Sequence, residues 1–120
     1  MEVANYWGQS EPMNPITQET VTLALQWLVD NAARAAEARA TRLYLEECSK
    51  VLKATIMSEH IEKSLGAQER HALADNRYKI HLDGLRVAIA EDEKMRRLRG
   101  AAEAKLEAYR TLEASTRQVR

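Results

Sequence analysis

The side chains most able to do chemistry in this chain are four cations of one predicted helix. They are Arg39, Arg42, Lys50 and Lys53. Their offsets of 0, 3, 11 and 14 residues place them on one face of an α-helix. Repeated cations on one face favour phosphate binding, which releases counterions and is therefore sensitive to salt. The alternative is a solvated face whose charge is balanced by Glu46 and Glu47.

Residues typical of catalysis or metal binding are few. His60, His71 and His81 have neither the His-Glu-x-x-His nor the Glu-x-x-His spacing that aims ligands from one helical face, so we expect solvated surface side chains. Cys48 has no neighbour that would activate its thiol and lies on an apolar ridge, which predicts a core cysteine. The sequence lacks a glycine-rich phosphate loop. It predicts a non-enzymatic protein with no metal and no cofactor.

A long helix must position the four cations. Asn14 is typical of an N-cap and Pro15 of the first helical position, and neither glycine nor proline occurs from Ile16 to Leu65. Gly66 then suits the left-handed position after the helix. The predicted main apolar stripe of this helix is Val21, Leu25, Leu28, Ala32, Ala36, Ala40, Leu43, Val51 and Ala54. A second apolar ridge is Leu45, Cys48, Leu52 and Ile56.

Two more helices follow in the prediction. The first is short, from Ala67 to Ala74, and the second is capped by Asp75 and runs to about Ala114. The apolar stripe of the second is Leu82, Leu85, Ile89, Met95, Leu98, Ala102, Leu106, Tyr109 and Leu112. The gap before Met95 holds the acidic residues 91–93, which predicts a local phase slip. Gly84 and Gly100 inside this helix predict close helix crossings or, alternatively, a bend.

Length and composition favour one all-α domain. The chain has 120 residues, of which 45% are apolar, 30% charged and 5% aromatic. We predict a flexible N-terminal arm over residues 1–13, carrying Tyr6 and Trp7, and a single helical domain over residues 14–120. That domain is expected to be a long helical hairpin with a short connecting helix.

Two long helices cannot cover each other's apolar stripes completely. Removing the uncovered part of these stripes from water favours self-association. We therefore expect a homo-oligomeric helical bundle or ring. The predicted oligomer interface contains Trp27, Leu28, Leu43, Leu98 and Tyr109.

Charge is unevenly distributed along the chain. The first 33 residues carry four carboxylates and neither lysine nor arginine, whereas residues 94–120 carry eight basic residues against three glutamates. This asymmetry predicts either an anionic partner or contact between the acidic end of one subunit and the basic end of another. A lone cysteine, no signal-peptide pattern and no apolar run of about 18 residues predict a cytoplasmic protein without a membrane partner.

The stretch from about Trp27 to Arg120 resembles the UvsY-type recombination mediator proteins of phages. The resemblance rests on Trp27-Leu28, on the run from Lys50 to Ala54, and on a spaced pattern before a basic tail. That pattern is Ser64, Glu69-Arg70, Ala72-Leu73, Asp75, Tyr78, Leu82 and Ala88. The closing run from Ala108 to Ala114, with Arg117, also resembles the end of small phage proteins of recombination gene clusters.

The resemblance implies a non-enzymatic ring-shaped homo-oligomer in the host cytoplasm. Such a protein binds single-stranded DNA and loads a strand-exchange recombinase in place of single-strand-binding protein. The family's Lys-x-Arg pair falls on Lys53 and Thr55, so the arginine is missing and Lys50 or Arg42 would have to supply that charge. The competing classes are a helical protein-binding adaptor or inhibitor, such as a phage anti-host factor, and a coiled-coil structural protein.

Overall fold

The computed structural model describes residues 16–119, which form three α-helices and no strand. Helix α1 spans Gln18–Ser58, α2 spans Leu65–Ala74 and α3 spans Asn76–Val119. The predicted all-α class is therefore confirmed. The predicted arm over residues 1–13, the predicted cap at Asn14 and Pro15, and Arg120 lie outside the described residues.

The described residues divide into two compact units. Ala33–Arg97 form one, called here the 33–97 unit, and residues 16–32 with 98–119 form the other, called here the terminal-segment unit. In the terminal-segment unit Ala24 and Ala102 are buried, and Trp27, Leu28 and Tyr109 are half-buried. Small residues at the buried positions allow helices to approach closely.

The boundary between α1 and α2 differs from the prediction. Helix α1 ends at Ser58, and Ser64 is the N-cap of α2, because its Oγ accepts a hydrogen bond from the Ala67 amide at 3.3 Å. Gly66 lies in the first turn of α2. The predicted position of Gly66 at the end of the first helix is wrong, because the serine two residues earlier starts a new helix.

Asp75 caps α3 as predicted. Its backbone is extended, with φ −68° and ψ 137°, and its Oδ1 accepts a hydrogen bond from the Arg77 amide at 2.8 Å. The same residue ends α2, where its amide donates to the Ala72 carbonyl at 3.2 Å. One aspartate thus separates α2 from α3.

In the 33–97 unit α1 and α3 pack along a seam with alternating spacings of three and four residues. On α1 the seam consists of Ala38, Arg42, Leu45, Ser49, Leu52 and Ile56, all buried or half-buried. On α3 it consists of His81, Leu85, Ala88, Asp92 and Met95, also buried or half-buried. Because Arg42 contacts Asp92 and Ser49 contacts His81, the two helices are antiparallel within this unit.

This seam corrects the predicted main stripe of α1. The members of that stripe within the 33–97 unit are exposed, and they are Ala36, Ala40, Leu43, Val51 and Ala54. Leu45, Leu52 and Ile56 of the second ridge pack inward instead. The prediction chose the wrong face because two inward positions, Arg42 and Ser49, are polar.

The predicted phase slip in α3 is also wrong. Asp92, in the middle of the acidic run, is only 2% exposed and continues the seam between Ala88 and Met95. A buried carboxylate at a seam position needs a cation or hydrogen-bond donors. Arg42 provides them, and the regular spacing of the seam is unbroken.

Gly84 and Gly100 do not mark close helix crossings in the described part of the chain. A Cβ atom built on either glycine meets no atom within 4 Å. Alanine stabilises a helix interior by about 1 kcal/mol relative to glycine. We therefore expect Gly84→Ala and Gly100→Ala each to raise the melting temperature by roughly 3 °C, measured by circular dichroism. A drop for either variant would show that another molecule packs closely there.

Candidate functional site

The four predicted DNA-binding cations do not form a free basic face. Arg42 contacts three carboxylates: its Nε lies 3.0 Å from Glu46 Oε1, and its Nη1 lies 3.1 Å from both Asp92 Oδ2 and Glu93 Oε1. The hydrogen bond to Glu46, followed by that to Glu93, raises the pKa of the guanidinium. Arg42 is therefore part of the α1–α3 seam.

The lysines are paired as well. Lys53 Nζ lies 2.9 Å from Glu69 Oε1 of α2, and this hydrogen bond raises the pKa of Lys53. Lys50 Nζ lies 3.0 Å from Glu47 Oε1 on the same exposed surface. Arg39 is exposed and makes no ion pair with a described residue. A phosphate approaching Arg42 or Lys53 would have to displace a carboxylate of this chain.

Arg42 and Lys53 are paired with carboxylates of other helices because of the direction in which the basic face points. At about 100° per residue, Arg42 and Lys53 lie near the seam side of α1, whereas Arg39 and Lys50 lie toward its outer side. Of the compensating acids, sequence reasoning identified Glu46 and Glu47. It missed those of α2 and α3, namely Glu69, Asp92 and Glu93, because they are far away in sequence.

The predicted solvation of the histidines is wrong for His60 and His81, which are both half-buried. His81 Nε2 lies 2.6 Å from Ser49 Oγ and 3.0 Å from the Leu45 carbonyl oxygen. Ser49 Oγ donates to the same Leu45 carbonyl at 3.1 Å, so its hydrogen points to the backbone and not to the imidazole. This contact is a polar layer of the seam, and its geometry does not match a serine activated by a histidine base.

His60 and His71 stack on each other, with ring centroids 4.1 Å apart and planes 13° from parallel. His60 follows α1 and is half-buried, and His71 belongs to α2. The stack connects the turn to the short helix. It was not predictable from the spacing of eleven residues, because on one continuous helix such positions are about 16 Å apart along the axis. The two rings meet because the chain turns between α1 and α2.

An arginine also closes the turn. Arg77 donates to both carboxylate oxygens of Glu59, from Nη1 to Oε2 at 3.0 Å and from Nη2 to Oε1 at 2.6 Å. Its Nη2 also donates to Asp75 Oδ2 at 3.0 Å. The guanidinium lowers the pKa of Glu59 and of Asp75 through these hydrogen bonds. The bonds join the end of α1 to the start of α3.

A lowered carboxylate pKa predicts a stability contribution that is present at neutral pH and lost in acid. This contribution is complete at pH values above the pKa of the carboxylates in the unfolded chain, which is about 4. It disappears as the pH falls through their lower pKa in the folded protein. We expect Arg77→Met to lower the melting temperature at pH 7 and to melt like the parent in strong acid. Arg86→Met is the control, because Arg86 is exposed and makes no ion pair with a described residue. If the melting temperatures of Arg77→Met and the parent differ by the same amount at both pH values, Arg77 does not stabilise the fold through these two carboxylates.

Beside the seam of the 33–97 unit lies an open groove of about 390 Å³. Ala38, Leu45, Val87 and Ala88 contribute to its lining, and Gly84 leaves it open because it has no side chain. An ion pair at its border joins Arg34 Nη2 to Glu91 Oε1 at 2.8 Å.

Large apolar side chains are exposed on all three helices of the 33–97 unit. In the 33–97 unit nine large apolar side chains are between 42% and 77% exposed: Leu43, Tyr44, Val51, Ile61, Leu65, Leu73, Ile80, Leu82 and Val87. Of the five predicted interface residues, Leu43 and Leu98 are exposed, while Trp27, Leu28 and Tyr109 are half-buried in the terminal-segment unit. Cys48, predicted to be in the core, is half-buried.

Within residues 16–119 no three histidine, cysteine or acidic side chains are grouped as metal ligands would be. No helix of that range is long and apolar enough to cross a membrane. No protein-family model matches the chain, and no curated protein or solved structure is significantly similar to it. The resemblance to recombination mediators therefore stays a prediction.

Proposed function

We propose that this chain is a non-enzymatic helical module whose function depends on self-association through its exposed apolar surface. The observation that carries this proposal is the set of nine exposed large apolar side chains in the 33–97 unit alone. Isolated exposed apolar residues are common on monomers, but extensive apolar surface marks sites of protein association. Association would remove this surface from water, with a contribution of roughly 25 cal/mol per Å².

The proposal is tested by placing a charge on that surface. Leu43→Asp and Val51→Asp on α1 each put a carboxylate at an exposed position of that surface, so each isolated chain should keep its helix content by circular dichroism. Thr111→Asp is the control, since Thr111 is exposed but polar. We expect the native mass to fall for the two variants of apolar residues and to stay at the parent value for the control. A parent protein of 13.6 kDa at every micromolar concentration would overturn the proposal.

A second candidate function is that of a cytoplasmic recombination mediator that binds single-stranded DNA, as the family resemblance implies. The supporting observation is a group of exposed basic side chains on α3: Lys94, Arg96, Arg97, Arg99, Lys105, Arg110 and Arg117. Arg97 and Lys105 make no ion pair with a described residue. These exposed side chains offer phosphates more unpaired charge than Arg42 or Lys53 does.

Salt dependence tests the second candidate. Each phosphate neutralised on a single strand contributes about 0.7 to the slope of log affinity against log salt. We expect the combined Arg96, Arg97 and Arg99 to alanine variant to flatten that slope more than Lys50→Ala with Lys53→Ala. If the Lys50 and Lys53 variant flattens the slope more, the DNA-binding site lies on α1. No binding to single-stranded DNA at low salt would contradict this candidate function.

A further inference from the structure

The side of α3 that faces away from the seam carries four exposed cations in the 33–97 unit. They are Lys79, Arg86, Lys94 and Arg97. At about 100° per residue these positions lie roughly 140–220° from the middle of the seam on the same helix. From residue 79 to residue 97 the other positions in that sector are Asp83 and Ala90, both exposed. These six positions, called here the outer face of α3, extend over about 27 Å.

The cations of the outer face have no counter-charge within their own chain. None of the four makes an ion pair with a described residue. Ion pairs occupy eight of the eleven acidic side chains of the 33–97 unit, namely Glu46, Glu47, Glu59, Glu69, Asp75, Glu91, Asp92 and Glu93. Like charges grouped on one face without acids to balance them attract an anionic partner.

Another copy of the 33–97 unit does not match this face. Its acids outside ion pairs with described residues are Glu37, Glu62 and Asp83, and Asp83 lies on the outer face itself. The outer face has no large aliphatic side chain to insert into a bilayer, since Ala90 is its one apolar residue. A chain of repeated phosphates is the anion that matches a row of cations.

We propose that the outer face of α3 binds the sugar-phosphate backbone of a nucleic acid by charge alone. The face has no aromatic residue on which an unpaired base could stack. Single strands and duplexes both present phosphates, so both are expected to bind, whatever their base sequence. This inference rests on the second candidate function and assigns its phosphate contacts to one surface that does not require unpaired bases.

Matched variants of the full-length chain test this surface. The outer-face variant replaces four cations by alanine: Lys79, Arg86, Lys94 and Arg97. The control replaces by alanine four exposed cations that each pair with a glutamate: Lys50, Arg96, Arg99 and Arg110. Both variants lose the same charge. Fluorescence anisotropy over a salt series measures binding to a labelled oligothymidine and to a labelled duplex of equal length, and circular dichroism checks that helix content is retained.

We expect the parent to bind both probes with an affinity that falls with salt. On the single strand, four phosphate contacts contribute up to about 3 to the slope of log affinity against log salt, and the outer-face variant should lose most of that. The control should lose less than about 1. Equal losses would overturn the proposal, because net charge and not the face would then decide binding. Binding to the single strand but not to the duplex would also overturn it, because bases would then be required.

An outer-face variant that keeps the parent's slope would place the phosphate contacts on another surface, so only this inference would fail. A parent that binds neither probe refutes the second candidate function as well. If that parent instead binds vesicles of anionic lipid, the face belongs to a lipid surface and the proposal is overturned.

Asp83 provides a test of opposite sign. Asp83→Asn removes the acid of the outer face, whereas Glu62→Gln removes an exposed acid of the turn before α2. Each substitution changes the net charge by the same amount. We expect Asp83→Asn to tighten binding to both probes by about twofold to fivefold and Glu62→Gln to leave it near the parent value. An equal gain for the two variants would contradict binding at the outer face.

Discussion

Replacement of Arg42 by methionine is expected to lower the melting temperature by on the order of 10 °C, because it leaves a buried carboxylate without its cation. Asp92 is 2% exposed, and Arg42 is the one described cation within ion-pair distance of it. Methionine retains most of the aliphatic length of arginine, so the loss is mainly electrostatic. Thermal unfolding followed by circular dichroism measures the effect.

A double variant separates the ion pair from packing. Arg42→Met combined with Asp92→Leu removes both charges and fills the seam with apolar side chains, so most of the lost stability should return. Arg39→Met is the matched control, since Arg39 is exposed on the same helix and should unfold like the parent. If Arg42→Met and Arg39→Met unfold at the same temperature, Arg42 does not hold Asp92 in the folded protein.

Truncation of Ile56 is the second change with a large expected effect. Ile56 is 0% exposed at the α2 end of the seam, and replacing a fully buried isoleucine by alanine costs about 2–5 kcal/mol. The loss combines the missing hydrophobic transfer with the cavity that remains. Denaturant unfolding should show a lower midpoint, with an unchanged slope if unfolding remains two-state.

The same substitution at an exposed isoleucine provides the comparison. Ile80 is 65% exposed on α3, so in the dissociated chain Ile80→Ala should change the free energy of unfolding by at most about 0.5 kcal/mol. A loss of at most about 0.5 kcal/mol for Ile56→Ala as well would contradict the assignment of Ile56 to the core. A large loss for Ile80→Ala that appears only at high protein concentration would show that association buries Ile80.

Much of the fold was predictable because helical signals are local. The absence of proline and glycine from residue 16 to residue 65 favoured the long first helix, and the side chain of Asp75 marked the start of α3. The end of α1 was missed because a serine cap and a glycine terminator compete at Ser64 and Gly66. In the structure Ser64 starts α2, because its side chain accepts a hydrogen bond from the Ala67 amide.

The direction in which α1 faces was not predictable from apolar periodicity. Two opposite sides of this helix are apolar, and the more regularly apolar one is exposed. The packed side contains Arg42 and Ser49, whose partners Asp92 and His81 lie 50 and 32 residues away. Polar pairs across a seam become recognisable only when both helices and their register are known. For the same reason the sequence did not show that Arg42 and Lys53 of the basic face are paired with carboxylates of α2 and α3.

We propose that copies of this chain associate to cover its exposed apolar surface. Sedimentation equilibrium of the unmodified protein over a micromolar concentration series tests this self-association, because it reports mass without assuming a shape. Self-association predicts a mass that rises with concentration toward a multiple of 13.6 kDa. A folded, helical protein that remains at 13.6 kDa over the whole series would contradict it.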